Sequence, residues 1–319
     1  MKKDRLFQNK YSVLVIVVLC TLLWGTAPSV IKIGYRDTFF GVSGSDIPSQ
    51  ILFAGARFLT AGVILLISGF LSTGKKMLPL KNEWKPLAVI GIIQTTMHYL
   101  FTFVGVAHTS GTKTSIFTAS SAFMSVLAAP FFFKKERIDF KSVIGCIVGL
   151  AGLVFINFDS DGKIGFAFMG EGFILLSCVC YVTGNFISKK VGKGIGSVKL
   201  NGWQMFTGGI ILVAVGLACG GRLHFNNFKC YLIVLYLALV STVAFTLWTK
   251  VLIYNPAGKI GIYNLLIPVF STAFSGILLG EDIFSIPNLA SLLLVCAGIG
   301  LVNYQSAKKD IKKRTEDKT

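Results

Sequence analysis

Three ionisable side chains stand inside long apolar stretches of this sequence: Arg57, His98 and Lys250. A charge in hydrocarbon is costly, so such residues are usually functional or paired. No acid lies in mid-stretch to match them, and the nearest by type, Glu171, Glu136 and Glu281, flank the stretches. Arg57 therefore has two readings. Its planar fork suits the carboxylate of a bound solute, or it ties backbone carbonyls and glutamates between helices. His98 also has two: it titrates near neutrality and carries a proton, or it is a hydrogen-bonded core residue. Lys32, Lys113 and Lys259 stand where a lysine can snorkel to an interface.

Other groups suit a solute by type. Gly25, Pro28 and Ser29 share one stretch, and Asn264 and Pro268 another. A proline removes a helical donor and frees a carbonyl, which serves either a cavity or a packing kink. Thr118 and Ser121 are the solute candidates of a hydroxyl-rich stretch whose other members glue helices together. Trp24, Tyr99, Trp248 and Tyr263 supply deep aromatic surface, whereas Trp84 and Trp203 stand at stretch ends, as interface-belt residues do. The expected solute-binding set is Trp24, Pro28, Arg57, His98, Tyr99, Thr118, Ser121, Trp248, Tyr263 and Asn264, with His98 as the proton-coupling residue. Gly25, Lys113, Pro130, Glu136, Lys259, Pro268 and Glu281 are expected to act in structure or gating. No phosphate loop, nucleophile elbow or metal-ligand spacing of the three histidines occurs. No enzyme activity, metal or cofactor is expected.

The elements that must position these residues follow from composition. Of 319 residues 53% are hydrophobic and only 14% charged, and mean hydropathy is +0.71. A soluble domain carries about 25% charge, so a polytopic membrane protein fits. The formal charge of +17 gathers in short segments between apolar runs, which is a loop pattern rather than a nucleic-acid surface. The seven cysteines form no CxxC pair and read as small buried residues.

Ten stretches reach or approach the roughly 20 residues a helical span needs. They lie near 11–33, 50–72, 86–107, 114–133, 141–157, 167–188, 201–220, 230–252, 259–279 and 287–304. With the N-terminus inside, the inner segments hold 23 of the 31 Lys and Arg. Four fall in the N-terminal tail and four in each of 73–85, 134–141 and 189–200; one precedes the ninth span, and six follow residue 306. The outer loops hold five: Arg36, Lys113, Lys163, Arg222 and Lys229. This bias predicts cytoplasmic termini, with the basic tail against anionic lipid.

The halves repeat. Leu23–Lys32 parallels Cys180–Lys189, Arg57–Gly62 parallels Gln204–Gly209, Gly111–Lys113 parallels Ala257–Lys259, and Phe132–Ile138 parallels Ile277–Ile283. Five helices per repeat turn the second copy upside down, the arrangement many alternating-access carriers use. The expected fold is an all-α polytopic membrane protein of ten transmembrane helices in two inverted five-helix repeats. Its units are 1–157, 158–305 and a basic tail at 306–319.

Leu23-Trp24-Gly25, Ala56-Arg57-Phe58, Pro268-Val269-Phe270, Leu279-Gly280-Glu281 and Ala297-Gly298-Ile299-Gly300 carry a family likeness. Through them the chain resembles the EamA-type transporters of the drug/metabolite transporter superfamily. The weaker counterparts of the first half are Ala129-Pro130 and Lys135-Glu136-Arg137. Pro130 precedes Glu136 by six residues while Pro268 precedes Gly280 by twelve, so the two helices are not expected to kink alike. The resemblance implies a secondary carrier in the cell membrane that moves amino acids or related small carboxylates, often outward. A multidrug or lipophilic-cation efflux carrier is the alternative, and a membrane-embedded enzyme or channel is the alternative of another class. The expected partners are a small metabolite, protons as coupling ion and membrane lipids. No nucleic acid or obligatory protein partner is expected, and the chain acts as monomer or homodimer.

Overall fold

The computed structural model describes residues 5–73, 77–109, 111–134, 136, 140, 143–145, 147–148, 151, 166–280 and 293–294, with backbone alone for 111–113, 115 and 116. The spans near 141–157 and 287–304, the tail from 306, Glu281 and the Lys113 side chain lie wholly or mostly outside those residues.

Eight helices are described. They are α1 (Lys10–Tyr35), α2 (Ile47–Thr73), α3 (Trp84–Ala107), α4 (Gly111–Phe132), α5 (Phe168–Ile195), α6 (Ser197–Ala218), α7 (Phe228–Tyr254) and α8 (Ala257–Leu279). All but α4 are long and apolar enough to cross a bilayer, and α4 holds an apolar stretch at Phe117–Phe132. The chain is an all-α polytopic membrane protein.

Local chemistry starts and shapes these helices. Asn9 caps α1 by accepting from the Tyr11 and Ser12 amides, and Asn227 caps α7 by accepting from Lys229. α3 carries a π-helical segment at Gly91–Met97, and α5 opens on another at Phe168–Gly172. α8 tightens to 3₁₀ at Ile262–Leu265, one turn before Pro268. That is where a proline without N–H cannot complete the α-helical ladder. Pro130 instead lies two residues from the end of α4, so the two helices differ as the proline spacing predicts.

The central packing is α2 against α6. Their glycines let the backbones touch. A Cβ added at Gly62 would stand 2.4 Å from the Phe206 nitrogen, and one at Gly209 would stand 2.5 Å from the Leu59 nitrogen. α1 lies between α7 and α8, and Gly25 admits α8 so closely that an added Cβ would meet the Phe270 Cβ at 2.5 Å. α5 packs on α3, α4 and α7.

Loop contacts sort the two ends of the bundle. At one end Asn255 Nδ2 donates to the Phe7 carbonyl (2.8 Å), Trp203 Nε1 donates to the Met77 carbonyl (2.8 Å), and Lys199 pairs with Glu83. At the other, Asn226 and Asn227 donate to the carbonyls of Asp37 and Thr38, and Thr109 Oγ1 donates to Glu171 (2.6 Å). The described parts of the basic segments near 73–85 and 189–200, and Glu136 through its pairing with Lys189, thus share the end that holds the N-terminal segment.

Candidate functional site

Arg57 lies one third of the way along α2 and is buried. Among the described residues it faces no carboxylate. Its Nη2 donates to the Tyr99 hydroxyl at 3.3 Å, and its guanidinium stands 4.3 Å from the Phe58 ring centre and 5.6 Å from that of Tyr99. The described glutamates are committed elsewhere. Glu171 accepts from Thr109 and the Ala167 amide, Glu83 from Lys199, and Glu136 from Lys189. Among the described residues Arg57 is held by a phenol and two aromatic faces, with no glutamate or backbone carbonyl on its guanidinium.

The π-helical segment of α3 ends immediately before His98 and Tyr99. Gly91 seats this segment against Thr207 of α6, and a widened turn re-aims the residues beyond it. His98 Nδ1 lies 3.0 Å from the Ser177 carbonyl of α5. A carbonyl only accepts, so the proton sits on Nδ1 and leaves Nε2 as the acceptor of the neutral ring. The His98 ring centre is 4.6 Å from that of Tyr99 and 5.5 Å from that of Tyr181. The Tyr181 hydroxyl donates to Asn264 Oδ1 at 3.3 Å, which reaches the 3₁₀ turn of α8. On the other side Phe58 meets Phe245 at 6.3 Å, and Trp24 meets Phe245 and Trp248 at 5.1 Å each. Tyr263 and Trp248 share one buried cluster, against which Trp24 and Tyr181 also pack.

These contacts form a collar drawn from α1, α2, α3, α5, α7 and α8. Four buried nitrogens in it have no hydrogen-bond partner among the described residues: Arg57 Nε, Asn264 Nδ2, Trp24 Nε1 and Trp248 Nε1. Each is a donor. Buried polar groups are nearly always satisfied, so a cluster of unmet donors calls for an acceptor-bearing ligand or water.

Seven of the ten sequence-predicted solute residues belong to this collar: Trp24, Arg57, His98, Tyr99, Trp248, Tyr263 and Asn264. Three do not join it. Pro28 and Thr118 are exposed, and the buried Ser121 offers its carbonyl to Ser125 Oγ at 2.8 Å. Lys250 lies over the Phe7 ring at 4.4 Å, and Lys259 is exposed at the start of α8. Tyr181, Phe58 and Phe245 are collar members the sequence did not single out. Tyr181 carried a signal, since the repeat pairs it with Trp24. A further polar layer, Gln94 Nε2 donating to Asn185 Oδ1 (2.9 Å) and Ser188 Oγ to Gln94 Oε1 (3.2 Å), ties α3 to α5.

At the N-terminal end Glu136 ties α5 to the head of α8. Its carboxylate pairs with Lys189 and accepts from the amides of Ala257 (2.9 Å) and Gly258 (3.3 Å) at the head of α8. Lys189 Nζ also donates to the Asn255 carbonyl at 2.7 Å. The positive end of a helix and an ammonium together hold one anion. A separate open groove of about 680 Å³ lies outside the collar, between α2, α6 and residues 221–225.

The profile of the EamA-like transporter family matches residues 11–158 and again 168–304. The chain is 27% identical over 277 residues to the uncharacterized transporter YetK of Bacillus subtilis, covering 84% of this chain and 82% of YetK. It is 29% identical over 264 residues to YvbV of the same organism, also described as an uncharacterized transporter, covering 80% and 83%. A solved crystal structure aligns with a TM-score of 0.76 over 94% of this chain and 99% of that one, at 18% identity, a likeness of fold.

Proposed function

The chain belongs to the EamA-like transporter family, and on that premise we propose that it is a secondary carrier exporting amino acids or related small carboxylates by alternating access. The carrying observation is the collar, where four buried donors, Arg57 Nε among them, have no partner and no carboxylate faces Arg57 among the described residues. A carboxylate supplies acceptors to Arg57 Nε and the neighbouring N–H groups. A lipophilic cation supplies none and meets Arg57 with like charge, so the arrangement favours the anion-bearing solute over the drug-cation alternative. The solute's amino group has the Nε2 lone pair of His98 and the faces of Tyr99 and Tyr181 beside it. His98 is then the group through which protons couple.

Alternating access needs two related halves, and we read the chain as two inverted repeats within ten spans. The α2–α6 contact supports this reading. Gly62 meets Phe206 and Leu59 meets Gly209; Gly55 meets Val213 and Leu66 meets Gly202. Adding 147, the offset between Arg57–Gly62 and Gln204–Gly209, to the α2 partner and subtracting it from the α6 partner exchanges the members of each couple. Two antiparallel helices related this way straddle a two-fold axis. The basic segments at the N-terminal end favour a cytoplasmic N-terminus, which makes the Glu136–Lys189 cluster the inner gate. The test is thermal stability of the purified protein across a panel of amino acids, hydroxy acids, nucleobases and organic cations, with counterflow in nucleotide-free proteoliposomes on every hit. Carboxylate hits with counterflow support the proposal, and cation-only hits overturn it.

A further inference from the structure

The open groove along the α2–α6 seam faces away from the collar. Leu52, Ala56, Leu59 and Thr60 form its α2 wall, and Val213 and Leu217 its α6 wall. Ala56 and Thr60 share a helix face with the exposed Val63 and Ile67, at spacings i, i+4, i+7 and i+11. Phe58, Ala61 and Leu65, on the other side of α2, pack into the core with Phe245. On α6, Val213 lies between the exposed Ile210 and Leu217 at the same periodicity. Both helices are long and apolar enough to cross a bilayer, so the groove opens to hydrocarbon. Thr60 Oγ1 donates to the Ala56 carbonyl of its own helix at 2.8 Å, which leaves the walls with no unmet hydroxyl. From Leu52 to Thr60 the groove descends about 12 Å, most of the roughly 15 Å of hydrocarbon in one leaflet.

The mouth is basic and fixed. Arg222 and His224 line it, both exposed, and no acid does. The Arg222 amide donates to Ser49 Oγ at 2.9 Å, and the Phe225 ring stands 5.2 Å from that of Phe40 and 4.8 Å from that of Tyr231. Among the described residues the Arg222 guanidinium has no ion pair. The opposite end of the same seam shows what such a space accepts. The offset of 147 that relates α2 to α6 carries Ala56 to Trp203. Trp203 lies 5.1 Å from the Trp84 ring and donates to the Met77 carbonyl, so the chain covers that end with its own side chains. Where the repeat places an indole, the groove has only a methyl group.

We propose that the groove holds an acyl chain of an anionic phospholipid, whose phosphate rests on Arg222 and His224. A guanidinium grips a phosphate through paired N–H donors, and the imidazole N–H adds another. A basic side chain at the membrane surface favours an anionic head over a zwitterionic one. The acyl chain fills the walls as Trp203 fills the other end, and braces α2 against α6 at the centre of the bundle. The mouth lies at the end opposite the N-terminal segment, which in the proposed topology draws the lipid from the outer leaflet.

The test reconstitutes the full-length chain in phosphatidylcholine vesicles with a trace of phosphatidylglycerol that carries a diazirine in one acyl chain. After irradiation, peptide mass spectrometry locates the label. The expected result is labelling concentrated at 52–60 and 213–217, which unlabelled phosphatidylglycerol competes away. Arg222→Gln should weaken that labelling about fivefold, the worth of one basic residue at the surface. Ala56→Trp, which plugs the groove as its repeat counterpart does, should abolish it. Gel filtration detects a misfolded Ala56→Trp, and Arg222→Gln, an exposed change, then carries the test. Labelling that is equal in wild type and both variants, or spread evenly over lipid-facing positions such as Ile67 and Phe131, overturns the site. Equal labelling by the diazirine form of phosphatidylcholine overturns the anionic head, and competition by free glycerophosphate overturns the lipid.

Discussion

Replacing Glu136 by Gln should unlatch the N-terminal end of the bundle. The carboxylate holds Lys189 and two amides of α8, and the two side chains keep only 11% and 14% of their surface exposed. Breaking a fully buried pair costs about 3–5 kcal/mol because it strands the other charge. Here the pair is nearly but not wholly buried, and glutamine keeps one oxygen for the Ala257 amide. The expected loss is therefore about 2–3 kcal/mol, confined to the closed state, a shift of about 30- to 150-fold toward the open one. Ser188, buried one helical position from Lys189 and bonded to Gln94, reports on this opening. A Ser188→Cys thiol should react with an impermeant reagent from the N-terminal side faster by that factor in Glu136→Gln. Lys189→Met should have a similar effect, and the double variant should fall short of the sum, since each change removes the same pair. Equal reaction rates in all four proteins, with folding retained, would refute the latch.

Glu83 gives a pH test. Burial works to raise its carboxyl, but bonds from Lys199 and the Leu80 amide hold it below its ordinary value of 4.5. A depressed carboxyl stabilises the fold above its unfolded pKa, and that stability is lost as pH falls through the lower folded value. The wild-type thermal midpoint should drop more steeply than that of Glu83→Gln below about pH 4.5, and parallel curves would dismiss the pair. An alanine at Gly62 would press on the Phe206 backbone and should destabilise by about 1–3 kcal/mol. Gly44→Ala, in open space, should leave the midpoint unchanged, which differential scanning fluorimetry in detergent resolves. Cysteines at Gly44 and Gly194, both unobstructed, should label from the outer and inner face respectively, and the opposite pattern would invert the proposed topology.

The spans and most of the collar were legible in the sequence because each signal is a departure from a uniform background. Arg57, His98 and Asn264 are polar groups in apolar stretches, and Trp24 and Trp248 are the deep indoles. The direction each residue faces was not legible. These helices are apolar on nearly every side, so no polar stripe separates lumen from lipid. That is why the hydroxyl of Thr118 and the breaker Pro28 looked like solute groups, yet both are exposed. The π segment before His98 escaped for a different reason. It depends on Gly91 meeting Thr207 across 116 positions of sequence, a tertiary contact with no local signature. The partners of Glu136 are equally remote: Lys189 is 53 positions away and Ala257 is 121. Only the internal repeat carried long-range information, and it is the repeat that leads from Trp24 to Tyr181 and from Ala56 to Trp203.

In the proposed carrier Arg57 receives a solute carboxylate in the collar. Its most direct test is counterflow of one solute as free acid and as carboxamide, in wild type and Arg57→Gln. Losing a charged hydrogen bond costs about 1.5–3 kcal/mol, or roughly 10- to 150-fold in affinity. That loss is expected for the acid alone, with the amide nearly unchanged between the two proteins. Equal loss for acid and amide would make Arg57 a structural residue and overturn its role as the carboxylate receptor.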